Sequence, residues 1–283
     1  MSFTKKLTRR LALASLCMSS LMVYSNAMAE TAFERIKSTG IIRIGYANEA
    51  PFAYTETNGN VTGESPEIVK KVAAKLGIKK IDAVLTEWGG LIPGLQAGRF
   101  DVIAAGMYVT PPRLKQVLFT DPHYQLQDTL LVSKGNPKKL SSYGSIAQDD
   151  SLKLAIMSGT AELEYAKKAG IKESQIMMVP DTVAQLQAVA TRRADAAVGT
   201  QLTMRNLASK AADRVEAIAD FKDDPANIGY GALAFRMEDK DLRDAFNKEI
   251  QAWVGSDDHL KTITPFGFDR SNLTTMKAAQ LAK

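Results

Sequence analysis

Apolar runs of strand length alternate with segments of helical periodicity along residues 41–105. Ile68, Val72 and Leu76 recur at helical spacing after a Ser-Pro pair that begins a helix, and the following glycine ends it. The predicted elements are strands at 41–46, 81–85 and 101–105 and helices at 65–76 and 91–97. This alternation predicts an α/β fold.

A second, similar set of elements follows, and two extended apolar segments, 129–133 and 228–235, flank it. The predicted elements are strands at 152–157, 176–179 and 194–199, helices at 161–169 and 182–193 and, after the second segment, a helix at 239–254. Extended crossings of this kind absorb the backbone rotation of hinge closure. We therefore expect a bilobed clamp, with residues 30–128 and 226–283 in lobe 1 and residues 129–225 in an inserted lobe 2.

The first 29 residues have the composition of an export signal. Four basic residues precede an apolar stretch too short for a membrane span, and an Ala-Met-Ala sequence ending at Ala29 fits a cleavage site. We expect cleavage after Ala29 and a periplasmic location. The only cysteine, Cys17, leaves with the signal, so the mature chain makes no disulfide.

Removal of the signal also changes the charge of the chain. Four basic residues and no acidic ones leave, so 36 Lys and Arg become 32 against 31 Asp and Glu, and the formal charge falls from +5 to +1. A balanced charge removes the main argument for nucleic-acid binding. No nucleic-acid partner is expected.

A glycine, a hydroxyl-rich turn and an arginine follow the strand predicted at 101–105. Open α/β sheets bind ligands at the carboxyl ends of their strands, and a guanidinium there forms two parallel hydrogen bonds with a carboxylate. Pro111 and Pro112 stiffen the chain before Arg113. The segment from Gly106 to Arg113 therefore predicts a site for a small carboxylate-bearing ligand, with Arg113 in a surface ion pair as the alternative.

Other strand-to-helix turns carry further candidate contacts. Glu49 and Phe52 follow the first strand on a turn fixed by a proline, which offers an anion beside an aromatic face. Thr160 lies at a predicted helix start, where free N–H groups attract a carboxylate; plain N-capping is the alternative. With Phe52, the rings of Trp88 and Tyr108 provide faces for a delocalised cation. Ordinary packing is the alternative for each ring.

Signals of catalysis and of metal binding are weak. His123 and His259 have no partners at metal-ligand spacing, and the chain contains neither a G-x-S-x-G nor a P-loop pattern. We therefore predict no catalytic residue, no metal and no cofactor.

Five motifs match a known family: GYANEAPFAY (45–54), TGESPEI (62–68), LIPGLQAGRFD (91–101), TPPRLKQV (110–117) and SGT (158–160). On these motifs the mature chain resembles, nearly from end to end, the extracellular solute-binding proteins of ABC transporters in the polar amino acid class. The resemblance implies a type II periplasmic-binding-protein fold, in which two hinge strands join two α/β lobes. It also implies a monomer that carries a small-molecule ligand to an inner-membrane ABC permease.

The resemblance assigns roles to the matching positions. In that family, residues matching Arg113 and Thr160 hold the ligand carboxylate. Residues matching Gly106 and Tyr108 offer a backbone carbonyl and a hydroxyl group to an α-ammonium.

Three departures from the family pattern bear on the ligand. Thr200 and Gln201 stand where an aspartate completes the ammonium site, the bulky Tyr108 replaces a small hydroxyl residue, and Ala161 replaces a glycine. A primary ammonium is strongly hydrated and needs several acceptors when buried. Loss of the aspartate together with gain of a ring therefore favours a more delocalised cation. The chain is most similar to the ectoine/hydroxyectoine-binding branch, whose ligands are cyclic amidinium carboxylates.

The branch resemblance implies that Glu49 pairs with the amidinium and that Arg113 holds the carboxylate. The three rings then face the ligand, and Thr160 adds a hydrogen bond from the second lobe. An importer of an ordinary polar amino acid, such as glutamine or arginine, is the alternative. A dehydratase acting on prephenate-like acids, with Glu49 or Glu64 as general acid, is a further alternative to the expected carrier.

Overall fold

Residues 30–282, the part of the chain that the computed structural model describes, contain two five-stranded mixed sheets with their helices and two two-stranded sheets. The strands are β1 (Ile41–Tyr46), β2 (Tyr54–Thr55), β3 (Val61–Thr62), β4 (Lys80–Leu85), β5 (Val102–Ile103), β6 (Leu118–Phe119), β7 (Tyr124–Leu126), β8 (Asp128–Ser133), β9 (Leu154–Met157), β10 (Ile176–Val179), β11 (Ala196–Thr200), β12 (Val215–Ala217), β13 (Gly229–Gly231) and β14 (Ala234–Phe235). The helices are α1 (Ala32–Thr39), α2 (Glu64–Lys75), α3 (Leu91–Gln96), α4 (Pro111–Leu114), α5 (Tyr143–Ala147), α6 (Glu162–Lys168), α7 (Thr182–Ala190), α8 (Gln201–Lys210), α9 (Lys240–Trp253) and α10 (Asp257–Ile263). The predicted export signal lies outside the described residues.

The two sheets have related strand orders. The first sheet is ordered β4-β1-β5-β14-β6, and the second is ordered β10-β9-β11-β8-β12. In each, the first three strands are parallel, and the fourth is antiparallel to both of its neighbours. The carboxyl ends of the parallel strands lead to the loops in which ligand contacts were predicted.

Each sheet is covered on both faces. Along β5 and the residue after it, Val102 and Ala104 pack in one apolar cluster, whereas Ile103 packs in another. In the second sheet, Leu130 and Leu131 of β8 likewise belong to different clusters. Strands buried on both faces read as continuous apolar runs, which explains why the sequence shows runs rather than alternation.

The chain crosses between the sheets twice, and the crossings pair with each other. Strand β7 leads out of the first sheet and β13 returns to it, with Tyr124 opposite Gly231 and Leu126 opposite Gly229. The prediction that residues 129–133 form a crossing is wrong: they belong to β8, an interior strand of the second sheet. The bilobed α/β architecture with two connecting strands is confirmed. The exact lobe bounds stay a prediction, which the sheet membership of β8 and β12 supports.

Helix ends follow local signals in the sequence. Helix α1 begins with a capping box in which Thr31 and Glu34 exchange side-chain-to-backbone hydrogen bonds, and Gly40 ends it at φ 71°. Helix α7 ends at Ala190, three residues before the predicted end, because Arg192 adopts a left-handed conformation at φ 58°. Among residues 30–282, no helix is long and apolar enough to span a bilayer.

A buried carboxylate at the amino end of β5 joins three elements of lobe 1. Asp101 is fully buried, and its Oδ1 lies 2.6 Å from Arg35 Nη2 and 2.7 Å from Arg43 Nη2. The Arg43 backbone N–H also donates to Oδ2 at 2.9 Å. Burial alone would raise the pKa of Asp101, but the hydrogen bonds from Arg43 and Arg35 outweigh burial and lower it.

We expect Asp101→Asn to lower the free energy of unfolding by about 2 kcal/mol, because the partly exposed guanidinium groups of Arg35 and Arg43 lose their buried anionic partner. A carboxyl with a lowered pKa stabilises the fold above its ordinary pKa, and this contribution is lost as the pH falls. The variant should therefore lose less stability on acidification than the wild type. Urea unfolding at several pH values measures both effects.

The matched control is Asp82→Asn, which removes one member of the exposed pair between Lys80 and Asp82. Because exposed ion pairs contribute less than about 1 kcal/mol, this change should be nearly neutral. Equal losses in both variants would contradict the structural role given to Asp101.

Candidate ligand-binding site

A cavity lies between the two sheets, at the carboxyl ends of their strands. The nine residues that the sequence singled out all line it: Glu49, Phe52, Trp88, Gly106, Tyr108, Arg113, Thr160, Ala161 and Thr200. The structure thus brings them together, while their roles as ligand contacts stay a prediction. Gln201, the first residue of α8, does not line the cavity.

Arg113 reaches the cavity from α4, whose first turn contains Pro111 and Pro112. Only 7% of the residue is exposed, so the alternative of a surface ion pair is wrong. Its Nη1 donates to the Tyr108 carbonyl at 2.8 Å, and its Nη2 donates to the Gly159 carbonyl of the other lobe at 2.9 Å.

No carboxylate within residues 30–282 lies at ion-pair distance from this guanidinium. Burial lowers the pKa of Arg113, against the opposing effect of negative charge at Glu162. Because a buried cation without an anion is unstable, the cavity is suited to a ligand that supplies one.

Glu49 lies on the turn after β1, where backbone pairing with Ala53 fixes the chain. Its carboxylate is 7% exposed and accepts one hydrogen bond, from the Thr203 hydroxyl of the opposite lobe at 2.8 Å. Burial raises the pKa of Glu49 to about 7, the charge of Glu162 adds to the rise, and the Thr203 hydrogen bond opposes it. A cation in the cavity would favour the ionised form.

The ring of Phe52 forms part of the cavity floor and continues into the core. It packs against Tyr124 and Phe268, with ring centroids 5.6 and 5.7 Å away. Gly106 makes this close approach possible: its φ is 69°, and a Cβ there would lie 2.3 Å from the Phe52 ring. The packing alternative therefore holds for most of the Phe52 ring, although the residue still lines the cavity.

Tyr108 and Trp88 form two further walls. The Tyr108 ring lies against the Gly229 backbone, where a Cβ would stand 2.0 Å away, and the Tyr108 hydroxyl is buried without a hydrogen-bond partner in the described residues. The Trp88 indole N–H donates to the Gly159 carbonyl across the cleft at 3.2 Å. The Arg113 guanidinium carbon is 5.8 Å from the centre of the Trp88 ring, within cation–π range.

Two predicted backbone and capping roles are altered. Thr160 does not cap a helix, because its hydroxyl donates to the Met157 carbonyl at 2.9 Å and α6 begins two residues later, after Ala161. The Gly106 carbonyl accepts the Tyr124 hydroxyl at 2.7 Å, so one of its lone pairs is already occupied.

Thr200 also has a structural role that the sequence did not show. Its hydroxyl caps α8 by accepting the Thr203 N–H at 3.1 Å. The Thr200 hydroxyl also donates to the Thr203 hydroxyl at 3.1 Å, and Thr203 in turn donates to Glu49. Thr200 therefore orients the residue that bonds the anion of the first lobe.

Sequence reasoning missed several side chains of the site, among them Thr203 and Glu162. Thr203 could have been found from its position three residues after the cap of α8, whereas an acid in the first turn of a helix, such as Glu162, is too common to stand out. Glu162 is 5% exposed and lines the cavity. Burial raises its pKa, while its own backbone N–H and the charge of Arg113 oppose the rise.

Glu64 is not part of the site, so its candidacy as a general acid in the cleft is wrong. The residue is fully buried behind the cavity, where it accepts the Ser65 hydroxyl at 2.7 Å and lies 3.0 Å from His123 Nε2. Ser65 Oγ accepts the Gly106 N–H at 2.9 Å, so this group supports the cavity wall. Among residues 30–282, no group of three or more His, Cys, Asp or Glu is placed to hold a metal ion.

This chain is similar to a periplasmic-binding protein and to a protein whose structure contains a small-molecule ligand. A probable amino-acid ABC transporter periplasmic-binding protein of Sinorhizobium fredii is 37% identical over 256 residues, which cover 88% of this chain and 84% of that protein. The crystal structure of EhuB in complex with hydroxyectoine matches at 33% identity with a TM-score of 0.83, over 90% of this chain and 98% of that chain.

An ancestral amino acid-binding protein described as a precursor of cyclohexadienyl dehydratase matches at 29% identity with a TM-score of 0.73, over 83% of this chain and 99% of that chain. The family model for bacterial extracellular solute-binding proteins, family 3, matches residues 42–264, which include both sheets and every residue lining the cavity. The chain therefore belongs to family 3 of the bacterial extracellular solute-binding proteins, with the bilobed type II fold.

Proposed function

We propose that this protein is the periplasmic ligand carrier of an ABC importer and that it binds ectoine or hydroxyectoine in the cavity between its lobes. The observation that carries the proposal is that Arg113 and Glu49, both buried on the walls of one cavity, have no ion-pair partner among residues 30–282. A ligand with one carboxylate and one delocalised cation supplies both missing charges.

The carboxylate would bind at Arg113. A guanidinium has five N–H donors, and two protein carbonyls accept from it in the structure. The remaining donors match a carboxylate in geometry and charge. Thr160 in the cavity wall provides a further polar contact from the second lobe.

The cation would bind between Glu49 and the ring faces of Phe52, Trp88 and Tyr108. A cyclic amidinium spreads its charge over a flat group, is weakly hydrated, and fits against aromatic faces. The likeness to EhuB, whose structure contains hydroxyectoine, supports this choice of ligand. The absence of an aspartate at Thr200 counts against a ligand that depends on an α-ammonium cage.

Ligand binding would favour the closed form. Three hydrogen bonds cross the cleft, from Trp88, Arg113 and Thr203. Closure without ligand also buries charges that lack partners, so the ligand stabilises the closed form more than the open one. The predicted export signal, its cleavage after Ala29, the monomeric state and recognition by an inner-membrane permease complete this proposal.

A basic amino acid such as arginine is the second candidate. One observation favours it: the cavity contains a second carboxyl group, Glu162, in addition to Glu49. A ligand with two cationic groups and one carboxylate would balance both acids and Arg113. Calorimetric titration with ectoine and with arginine distinguishes the candidates. A binding heat with arginine and none with ectoine would show that the proposed ligand is wrong, but it would be consistent with the proposed carrier function.

We expect Glu49→Gln to weaken ectoine binding by at least about 30-fold, because a buried charge pair is lost while Gln still accepts from Thr203. The affinity of the wild type should fall as the pH drops below about 7, where Glu49 becomes protonated. Titration calorimetry across pH measures both effects. The exposed neighbour of Trp88, Glu87, gives the control Glu87→Gln, which should bind like the wild type.

Glu49→Gln should also be more stable than the wild type when no ligand is bound. A carboxyl whose pKa is raised from 4.5 to about 7 loses stabilisation as the pH rises between these values, by about 3 kcal/mol in total. At pH values above about 7, Glu49→Gln should recover much of this difference in urea unfolding. Unchanged binding together with unchanged stability would show that Glu49 does not bear a buried charge.

Two neighbouring tyrosines, Tyr108 and Tyr124, whose ring centroids are 6.4 Å apart, allow a matched test of the unpaired hydroxyl. Tyr108→Phe removes a buried group without a partner and should stabilise the unliganded protein by about 1 kcal/mol or more. Tyr124→Phe removes a hydroxyl that donates to the Gly106 carbonyl and should destabilise it by about 1 kcal/mol. Thermal unfolding measures both, and a change of the same sign in the two variants would contradict this assignment.

A further inference from the structure

Glu162 occupies a position in the cavity that the proposed ligand does not explain. It is the first residue of α6, is 5% exposed, and lines the cavity together with Glu49 and Arg113. No cation of residues 30–282 lies at ion-pair distance from it. Its partner is therefore a ligand group or a proton.

The charges in the cavity are unequal. Among the described residues that line the cavity, one cation, Arg113, faces two carboxyl groups, Glu49 and Glu162. A zwitterionic ligand adds one charge of each sign, so it satisfies Arg113 and Glu49 and leaves Glu162 unbalanced. An ionised carboxylate without a partner is strongly disfavoured in such a buried place.

More acidic than basic groups surround Glu162. The titratable groups that interact electrostatically with Glu162 come from both lobes: Glu49, Tyr108, Arg113, Tyr124, Asp128, Tyr143, Tyr165 and Asp223. Arg113 is the one cation of this set, and a ligand carboxylate would neutralise its field. Burial already raises the pKa of Glu162, and the charge of Asp223 raises it further.

We propose that Glu162 is a specificity-determining residue that sets the net charge of the ligand, because it must carry a proton when a zwitterion fills the closed cavity. This inference rests on the proposed carrier function. A protonated Glu162 accommodates a ligand of zero net charge, and an ionised one matches a ligand with a second cationic group. A ligand with an extra carboxylate is excluded in either case.

The test is the affinity for ectoine from about pH 6 to about pH 9 in the wild type, in Glu162→Gln and in the control Glu164→Gln. Glu164 lies two residues along the same helix and is exposed. In the wild type, the affinity should fall by about tenfold per pH unit above the pKa of Glu162, because binding then requires uptake of a proton. Glu162→Gln should abolish this alkaline loss and keep the acid loss that Glu49 causes, whereas Glu164→Gln should behave like the wild type.

An alkaline loss that persists in Glu162→Gln would assign the proton to another group, such as Asp128, and overturn the proposal. A wild-type affinity that stays constant up to about pH 9 would overturn it as well. If arginine binds and ectoine does not, the proposed ligand is wrong, but this result does not test the role proposed for Glu162. The proposal then requires Glu162→Gln to weaken arginine binding by more than about tenfold and Glu164→Gln to leave it unchanged, and equal affinities would refute it.

Discussion

The burial of Arg113 between two backbone carbonyls is the constraint on which the site depends. One carbonyl belongs to Tyr108 in the first lobe and the other to Gly159 in the second, so a single side chain joins both halves of the cleft. Carbonyl oxygens satisfy hydrogen bonds but carry no net charge. The guanidinium is thus fixed in place by the protein and left electrostatically incomplete, which is the condition of a preformed anion site.

The other charged groups of the cavity follow the same pattern. Glu49 is held by one hydroxyl of the opposite lobe, and Glu162 lies buried at the start of α6. None of the three has an ion-pair partner in the described part of the chain. In the protein interior such groups destabilise the closed form. Their combined effect is to make the closed form depend on what the cavity contains.

Much of the fold could be predicted from periodicity, because strands buried on both faces and helices with clear caps leave strong local patterns. The error at residues 129–133 shows the limit. An apolar run looks the same whether it crosses between lobes or lies inside a sheet, and only long-range pairing decides between them. The short strand β7 forms the crossing instead. Its partner β13 lies about a hundred residues away along the chain, so the local sequence does not reveal this pairing.

The candidate site could be predicted where a residue type and its position agree, as for Arg113 after a strand end. Glu162 was missed because its significance comes from burial. Thr203 was missed because its hydrogen bond to Glu49 joins the two lobes, although its position in the first turn of α8 can be seen in the sequence. The Thr160 cap failed for a related reason: the Met157 carbonyl competes for its hydroxyl, and only the folded turn brings the two together.

The contact between Tyr108 and Gly229 has a mechanical consequence. Gly229 belongs to β13, one of the two connecting strands, and the neighbouring Gly231 is held in the same way by the Tyr124 ring. A wall of the cavity is therefore stacked directly on the pivot between the lobes. When the connecting strand bends, Tyr108 moves with it. Because the Tyr108 ring is already packed in the absence of ligand, the conformational entropy of ordering it is lost during folding and not during ligand binding.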